Sequence, residues 1–156
     1  MDALAGQVAV INGASRGMGA ATAKRFAAEG AKVGLIARTE ADLAVVTKKI
    51  RGEGGTAEFA VADVRERDQV FAAVGKLREA LGPIDILVNS SGLAVSKLLI
   101  EMTEEDWDVQ WDTNVKSIFL CSQAVVGDMI ERESGLIINI GSMAGLVPGG
   151  PKGVAY

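Results

Sequence analysis

The strongest constraint on what this chain can fold into is an alternation. Five short aliphatic runs, Val8–Ile11, Val33–Ala37, Ala57–Val61, Ile84–Val88 and Leu136–Ile140, alternate with segments whose apolar residues recur at helical spacing. Most of the runs are nearly continuous in apolar residues, the pattern of strands covered on both faces in a parallel sheet. Between them Ala20, Ala23 and Ala27 share one helix face, Leu43, Val46 and Ile50 a second, and Val70, Val74, Leu77 and Leu81 a third. Gly30 suits the end of the first helix, and Gly82-Pro83 stops the third. Thr39 with Asp42, and Thr103 with Asp106, have capping-box spacing. The longer stretch after the fourth strand predicts one helix beginning at the Thr103 cap and a second from about Trp111 to Arg132. Strand then helix, repeated, predicts an α/β fold with a doubly wound parallel sheet, and right-handed crossovers favour the order 3-2-1-4-5. No linker or low-complexity segment interrupts residues 1–156, which read as a single domain.

Composition narrows the chemistry by what is missing. With no histidine, Ser-His-Asp and Cys-His nucleophile pairs and His-ligated zinc are excluded. The lone cysteine, Cys121, excludes an internal disulfide and any CxxC motif, and it reads as a small buried apolar side chain. No metal site is expected. The charge balance, 16 cationic against 20 acidic residues for a net −4, has no basic run and argues against a nucleic-acid partner. No cationic stretch leads into an apolar run near Met1, and no apolar segment approaches the ~20 residues that span a bilayer. A cytoplasmic protein with no membrane association is the expectation.

Glycine is the outlier: 19 of 156 residues is 12%, against about 7% on average. Much of the excess falls between the first strand and first helix, in Asn12-Gly13-Ala14-Ser15-Arg16-Gly17-Met18-Gly19. Such a turn brings backbone N–H groups and a helix N-terminus close to a pyrophosphate. A glycine cluster alone also fits a plain strand-to-helix turn, but its place after a strand and before a helix favours a Rossmann-type dinucleotide site. No Gly-Lys-Ser/Thr follows, so it is not a P-loop. About 20 residues beyond such a loop an acidic residue would bind the ribose 2′-hydroxyl of NAD. Arg38 stands there, with Arg16 inside the loop. Two guanidinium groups favour a 2′-phosphate, and hence NADP(H), over the alternative of two solvated surface arginines.

Further motifs run in order along the chain: Gly13-x-x-x-Gly17-x-Gly19, Ala62-Asp63-Val64, Asn89-Ser90-Ser91-Gly92, Asp112-Thr113-Asn114-Val115, Gly141-Ser142-Met143-Ala144-Gly145, and Tyr156. By these residues the chain resembles the short-chain dehydrogenase/reductase family. Two departures stand out. Asn12 occupies a position where the family usually has Thr or Ser, and Ser90-Ser91 replaces Asn-Ala. The resemblance implies cofactor contacts from Gly13, Ser15, Arg16, Gly17, Met18, Gly19, Arg38, Asp63, Val64, Asn89, Ser91 and Gly92, with Asp63 and Val64 at the adenine ring. It implies catalytic roles for Asn114, Ser142 and Tyr156 in interconverting a ketone or aldehyde and an alcohol, as in 3-oxoacyl-acyl-carrier-protein reductases and small carbonyl reductases.

In that scheme Tyr156 is the acid/base, Ser142 holds the substrate oxygen, and Asn114 supports a water relay. Substrate would meet Leu93–Leu99 and Leu146–Gly153, segments with one lysine each, Lys97 and Lys152. The family also implies a homo-oligomer, dimer or tetramer, joined partly through the helix of Asn114. It places a lysine four positions after the tyrosine, beyond residue 156, and further strands after that. The expectation is therefore the N-terminal part of a longer domain, whose 156 residues alone bind cofactor weakly and turn over little. The alternative is a nucleotide-binding or scaffolding protein without turnover, or a subunit completed by another chain.

Overall fold

A computed structural model describes residues 2–143. Strands β1 (Val8–Asn12), β2 (Lys32–Ala37), β3 (Thr56–Val61), β4 (Ile86–Asn89) and β5 (Leu136–Asn139) form one sheet in the order 3-2-1-4-5, and each neighbouring pair is parallel. Helices α1 (Gly17–Ala28), α2 (Glu40–Gly52), α3 (Arg67–Leu81), α4 (Glu104–Trp111) and α5 (Ser117–Glu131) cover it. Side chains alternate along β1, so Val8 and Val10 pack with Ile36, Leu77, Leu120 and Val125 beneath α3 and α5. Ala9 and Ile11 face the other way, against Val33, Leu35, Ala23, Leu43 and Ile50 beneath α1 and α2. Every residue of β1 is buried, and each large aliphatic side chain removed from water contributes about 1.5–3 kcal/mol. The centre of the sheet is thus the firmest part of the molecule, and the chemistry is mounted on its ends.

Three sequence expectations need correction. The fourth strand begins at Ile86 rather than Ile84; Asp85, just before it, is still tied to both neighbouring strands, its N–H donating to Val8 O at 2.9 Å. Its Oδ2 accepts from Val8 N at 2.9 Å and its carbonyl from Leu136 N at 2.9 Å. The capping box predicted at Thr39 does not form: Thr39 is the N-cap of α2, but its side chain makes no capping bond. The box at Thr103 does close, around an Asp106 that Lys97 also anchors at 2.6 Å, whereas Asp42 makes no ion pair among the described residues. Finally, α4 and α5 are one continuous run, joined by a π turn over Asp112–Lys116. Neither glycine nor proline stands between Glu104 and Ser117, and Ser117 Oγ donates to Thr113 O at 2.6 Å across the junction. β5 lies at the sheet edge among the described residues, with Leu136 51% exposed.

Candidate active site

Parallel strands all end on one side of the sheet, and helices begin there, so their free N–H groups and loop side chains converge. A cleft of about 350 Å³ opens at that edge, over the ends of β1, β2, β3 and β4. Gly13, Ser15, Arg16, Gly17, Met18, Gly19, Arg38, Asp63, Val64, Ser91 and Gly92, all singled out in the sequence, line it. The loop can lie this close only because of its glycines. Gly13 has φ +67, and a Cβ there would meet the Ser90 carbonyl and the Ser91 nitrogen at 2.8 Å. Gly17, at φ +56, has nothing within 4 Å of where its Cβ would stand, which keeps the floor of the cleft open. The N-cap of α1, Arg16, gives no side-chain cap, and its first turn holds no acidic residue. The first amides of α1 therefore keep their capacity for an anion.

The far rim is charged. Arg38 follows β2 and Asp63 follows β3, side by side, because Ala62 N donates to Ala37 O at 3.0 Å. Arg65 grips the Asp63 carboxylate: its Nε lies 3.0 Å from Oδ1 and 3.1 Å from Oδ2, and its Nη2 lies 2.6 Å from Oδ2. That contact holds the Asp63 carboxyl below the usual carboxylate range and raises the Arg65 guanidinium, so both stay charged. Arg38 and Arg16 make no ion pair among the described residues. A ligand with separated phosphates and a hydrogen-bonding base fits this set of open amides, unpaired cations and a fixed carboxylate.

Asn89 is placed differently. It is 2% exposed and stands behind the wall of the cleft, where it accepts from Asn12 Nδ2 at 2.5 Å and donates to Asn139 Oδ1 at 2.8 Å. Asn12 Oδ1 in turn accepts from Ser90 N at 3.0 Å and Ser91 N at 2.8 Å. The residue that departs from the family pattern thus fixes the turn on which Ser91 and Gly92 sit.

Beyond Ser90, Ser91 and Gly92 the cleft continues into an apolar recess of about 510 Å³ lined by Trp107, Trp111, Asn114, Val115, Ile118, Ile140 and Ser142. Ser142 and Asn114, far apart in sequence, share this recess. Asn114 clamps the backbone of Leu93, its Oδ1 accepting from the N–H at 2.8 Å and its Nδ2 donating to the carbonyl at 2.9 Å. Lys97, expected to face substrate, is instead paired with Asp106. Tyr156, Lys152 and the segment Leu146–Gly153 lie outside the described residues. Cys121 is buried as expected, and burial pushes its thiol up to about 11, which leaves it protonated and inert.

Sequence reasoning missed Arg65, Thr39 and Thr113 in the cleft, and Gln110 behind the recess. Arg65 was readable as the cation two residues beyond Asp63. Gln110, 1% exposed inside an amphipathic helix, gave no such signal. Among the described residues no helix is long and apolar enough to cross a membrane, and no His, Cys, Asp and Glu group could hold a metal ion.

A family model described as short chain dehydrogenase matches residues 7–156. A 3-oxoacyl-acyl-carrier-protein reductase of Synechocystis sp. is 40% identical over 157 aligned residues, covering 100% of this chain and 63% of that protein. Among solved structures, an actinorhodin polyketide ketoreductase holding NADPH superposes with a TM-score of 0.90 at 33% identity, covering 94% of this chain and 57% of that one. A gluconate 5-dehydrogenase from Burkholderia cenocepacia, in complex with NADP and tartrate, does so with a TM-score of 0.92 at 35% identity, over 99% and 60% of the two chains. The chain spans 50–63% of the length of eight curated relatives that it matches.

Proposed function

The chain belongs to the short chain dehydrogenase family, and from that premise we propose that it is the nucleotide-binding part of an NADP(H)-dependent oxidoreductase interconverting a ketone or aldehyde and an alcohol. The observation that carries this reading is the junction of the two cavities at Ser90, Ser91 and Gly92, a charged cleft on one side and an apolar recess holding Ser142 and Asn114 on the other. The NADPH and NADP bound in the two similar ketoreductase and dehydrogenase structures support the choice of cofactor.

The first amides of α1, with Ser15 and Met18 beside them, would hold the pyrophosphate, and Arg16 and Arg38 the 2′-phosphate. Asp63 and Val64 would meet the adenine. When bound, the nicotinamide supplies the hydride. Ser142 would donate a hydrogen bond to the carbonyl oxygen, and Tyr156 would give that oxygen its proton. A free phenol titrates near 10, so Tyr156 needs a neighbouring cation or donor to act quickly at neutral pH. Asn114 would hold the recess wall through Leu93 and support a water relay to Tyr156.

The apolar lining suits a moderately hydrophobic carbonyl compound, a 3-oxoacyl thioester among them. Phe119, Val126 and Ile130 are exposed along α5, outside the recess, which supports assembly into a homo-oligomer through that helix. The test follows NADPH consumption with a 3-oxoacyl thioester and with small ketones, in the polypeptide that contains these residues. Turnover that Tyr156→Phe abolishes, with cofactor binding retained, is the expected result. Cofactor binding with no turnover of any carbonyl would leave a nucleotide-binding or scaffolding protein instead.

A further inference from the structure

We propose that Arg65 is a specificity-determining residue: by holding the Asp63 carboxylate it keeps Arg38 available to a 2′-phosphate. The inference rests on the dinucleotide reading above and deepens it.

Placement makes the issue unavoidable. Arg38 and Asp63 directly follow the hydrogen-bonded pair Ala37 and Ala62, so a guanidinium and a carboxylate stand on neighbouring strand ends at one rim of one cleft. Left alone they would pair, since guanidinium and carboxylate match in a bidentate fork. They do not pair in the structure. Arg65 instead holds Asp63 with Nε and Nη2, and its own backbone N–H donates to Oδ1 at 3.0 Å. The carboxylate is turned to Arg65, and the positive field of Arg38 acts on it only from a distance. Asp42, the other carboxylate on this rim, lies in the first turn of α2, where the helix terminus favours its charge. Among the described residues Arg38 has no ion-pair partner.

Without Arg65, the Asp63 side chain would turn to Arg38 and neutralise it. A 2′-phosphate would then have to displace a carboxylate before it could bind. A 2′-hydroxyl carries no charge to lose and would be little affected. Discrimination between the two dinucleotides should therefore depend on a residue that need not touch the phosphate.

The experiment is a calorimetric titration of NADPH and of NADH into the wild-type protein, Arg65→Gln, Arg65→Lys, and the double variant Arg65→Gln/Asp63→Asn, with a thermal melt of each. The quantity read is the ratio of the two affinities, which a general loss of fold or of adenine contacts would not move. Arg65→Gln should cut the NADPH preference by about fivefold, the weight of one partly exposed ion pair. Arg65→Lys, which keeps the charge but not the fork, should fall between, and the double variant should recover most of the preference. A ratio unmoved in both single variants, or no recovery in the double, overturns the assignment while leaving dinucleotide binding intact. A wild-type protein that binds neither dinucleotide overturns the oxidoreductase reading and this assignment together.

Discussion

Asn12 and Asn89 stand in register on β1 and β4, and their side chains are joined as well, Asn12 Nδ2 donating to Asn89 Oδ1 at 2.5 Å. The chain of amides runs on to Asn139 on β5, so three strands are tied at the ends that carry the site. Asn12 Oδ1 meanwhile holds both N–H groups of the Ser90–Ser91 turn.

Removing Asn12 should therefore cost more than one hydrogen bond. Asn12→Ala leaves two amides and the Asn89 oxygen without their partner in a position that is 0% exposed. Unmet buried groups cost about 1–3 kcal/mol each, but the Ser90 and Ser91 amides are only half-buried and recover part of their loss from water, so denaturant unfolding should show a loss of about 2–4 kcal/mol. Asn12→Thr, which keeps an acceptor, should lose about half as much.

Gln110 offers a second test. Its Oε1 accepts from Val95 N at 2.9 Å and its Nε2 donates to Asp106 O at 3.2 Å. With Asn114 on Leu93 and Asp106 on Lys97, it makes the middle rung of a strap from α4 and the π turn to the segment after β4. The spacing works because four residues of helix rise about 6 Å, close to two residues of extended chain. Gln110→Leu should cost about 1–2 kcal/mol through the stranded Val95 amide. Amide hydrogen exchange should then show Val95 opening faster, with Leu93 much less affected.

Gly13 tests the loop itself. Gly13→Ala adds a Cβ at φ +67 that meets Ser90 and Ser91 at 2.8 Å. The αL penalty alone is about 1–2 kcal/mol, so a thermal melt should fall by several degrees for a domain of this size. Cofactor titration should show weakened binding as well, since the clash displaces the wall beneath it.

The pH dependence has a definite sign at Asp106. Its hydrogen bond from Lys97, and then those from Thr103, pull the carboxyl from 3.8 to about 2. A depressed folded value adds stability that is complete above the unfolded value and vanishes as pH falls through the folded one. The difference in melting temperature between wild type and Asp106→Asn should be constant above about pH 5 and shrink between about pH 4 and pH 2.

The strands, the glycine turn and the cationic pair Arg16 and Arg38 were legible because each depends on local residue type, and the strand order because crossovers have one hand. Aliphatic runs make strands, small residues make the turn, and arginines follow a strand end. Other features depended on which side chain meets which. The Asp85 carboxylate took the Val8 amide, Thr39 failed to cap, and Arg65 took Asp63, all through contacts between residues with no periodic signature. Asn12 shows the limit most clearly. Its type announced hydrogen-bonding capacity, but only the register of β1 with β4 shows that the turn carrying Ser91 hangs from it.

Direct titration of the wild-type protein with NADPH and NADH tests most simply whether the charged cleft takes NADP(H). Both should bind, NADPH the more tightly, and Arg16→Ala with Arg38→Ala should remove the difference. Tighter binding of NADH, or no binding of either dinucleotide, would contradict the NADP(H) assignment.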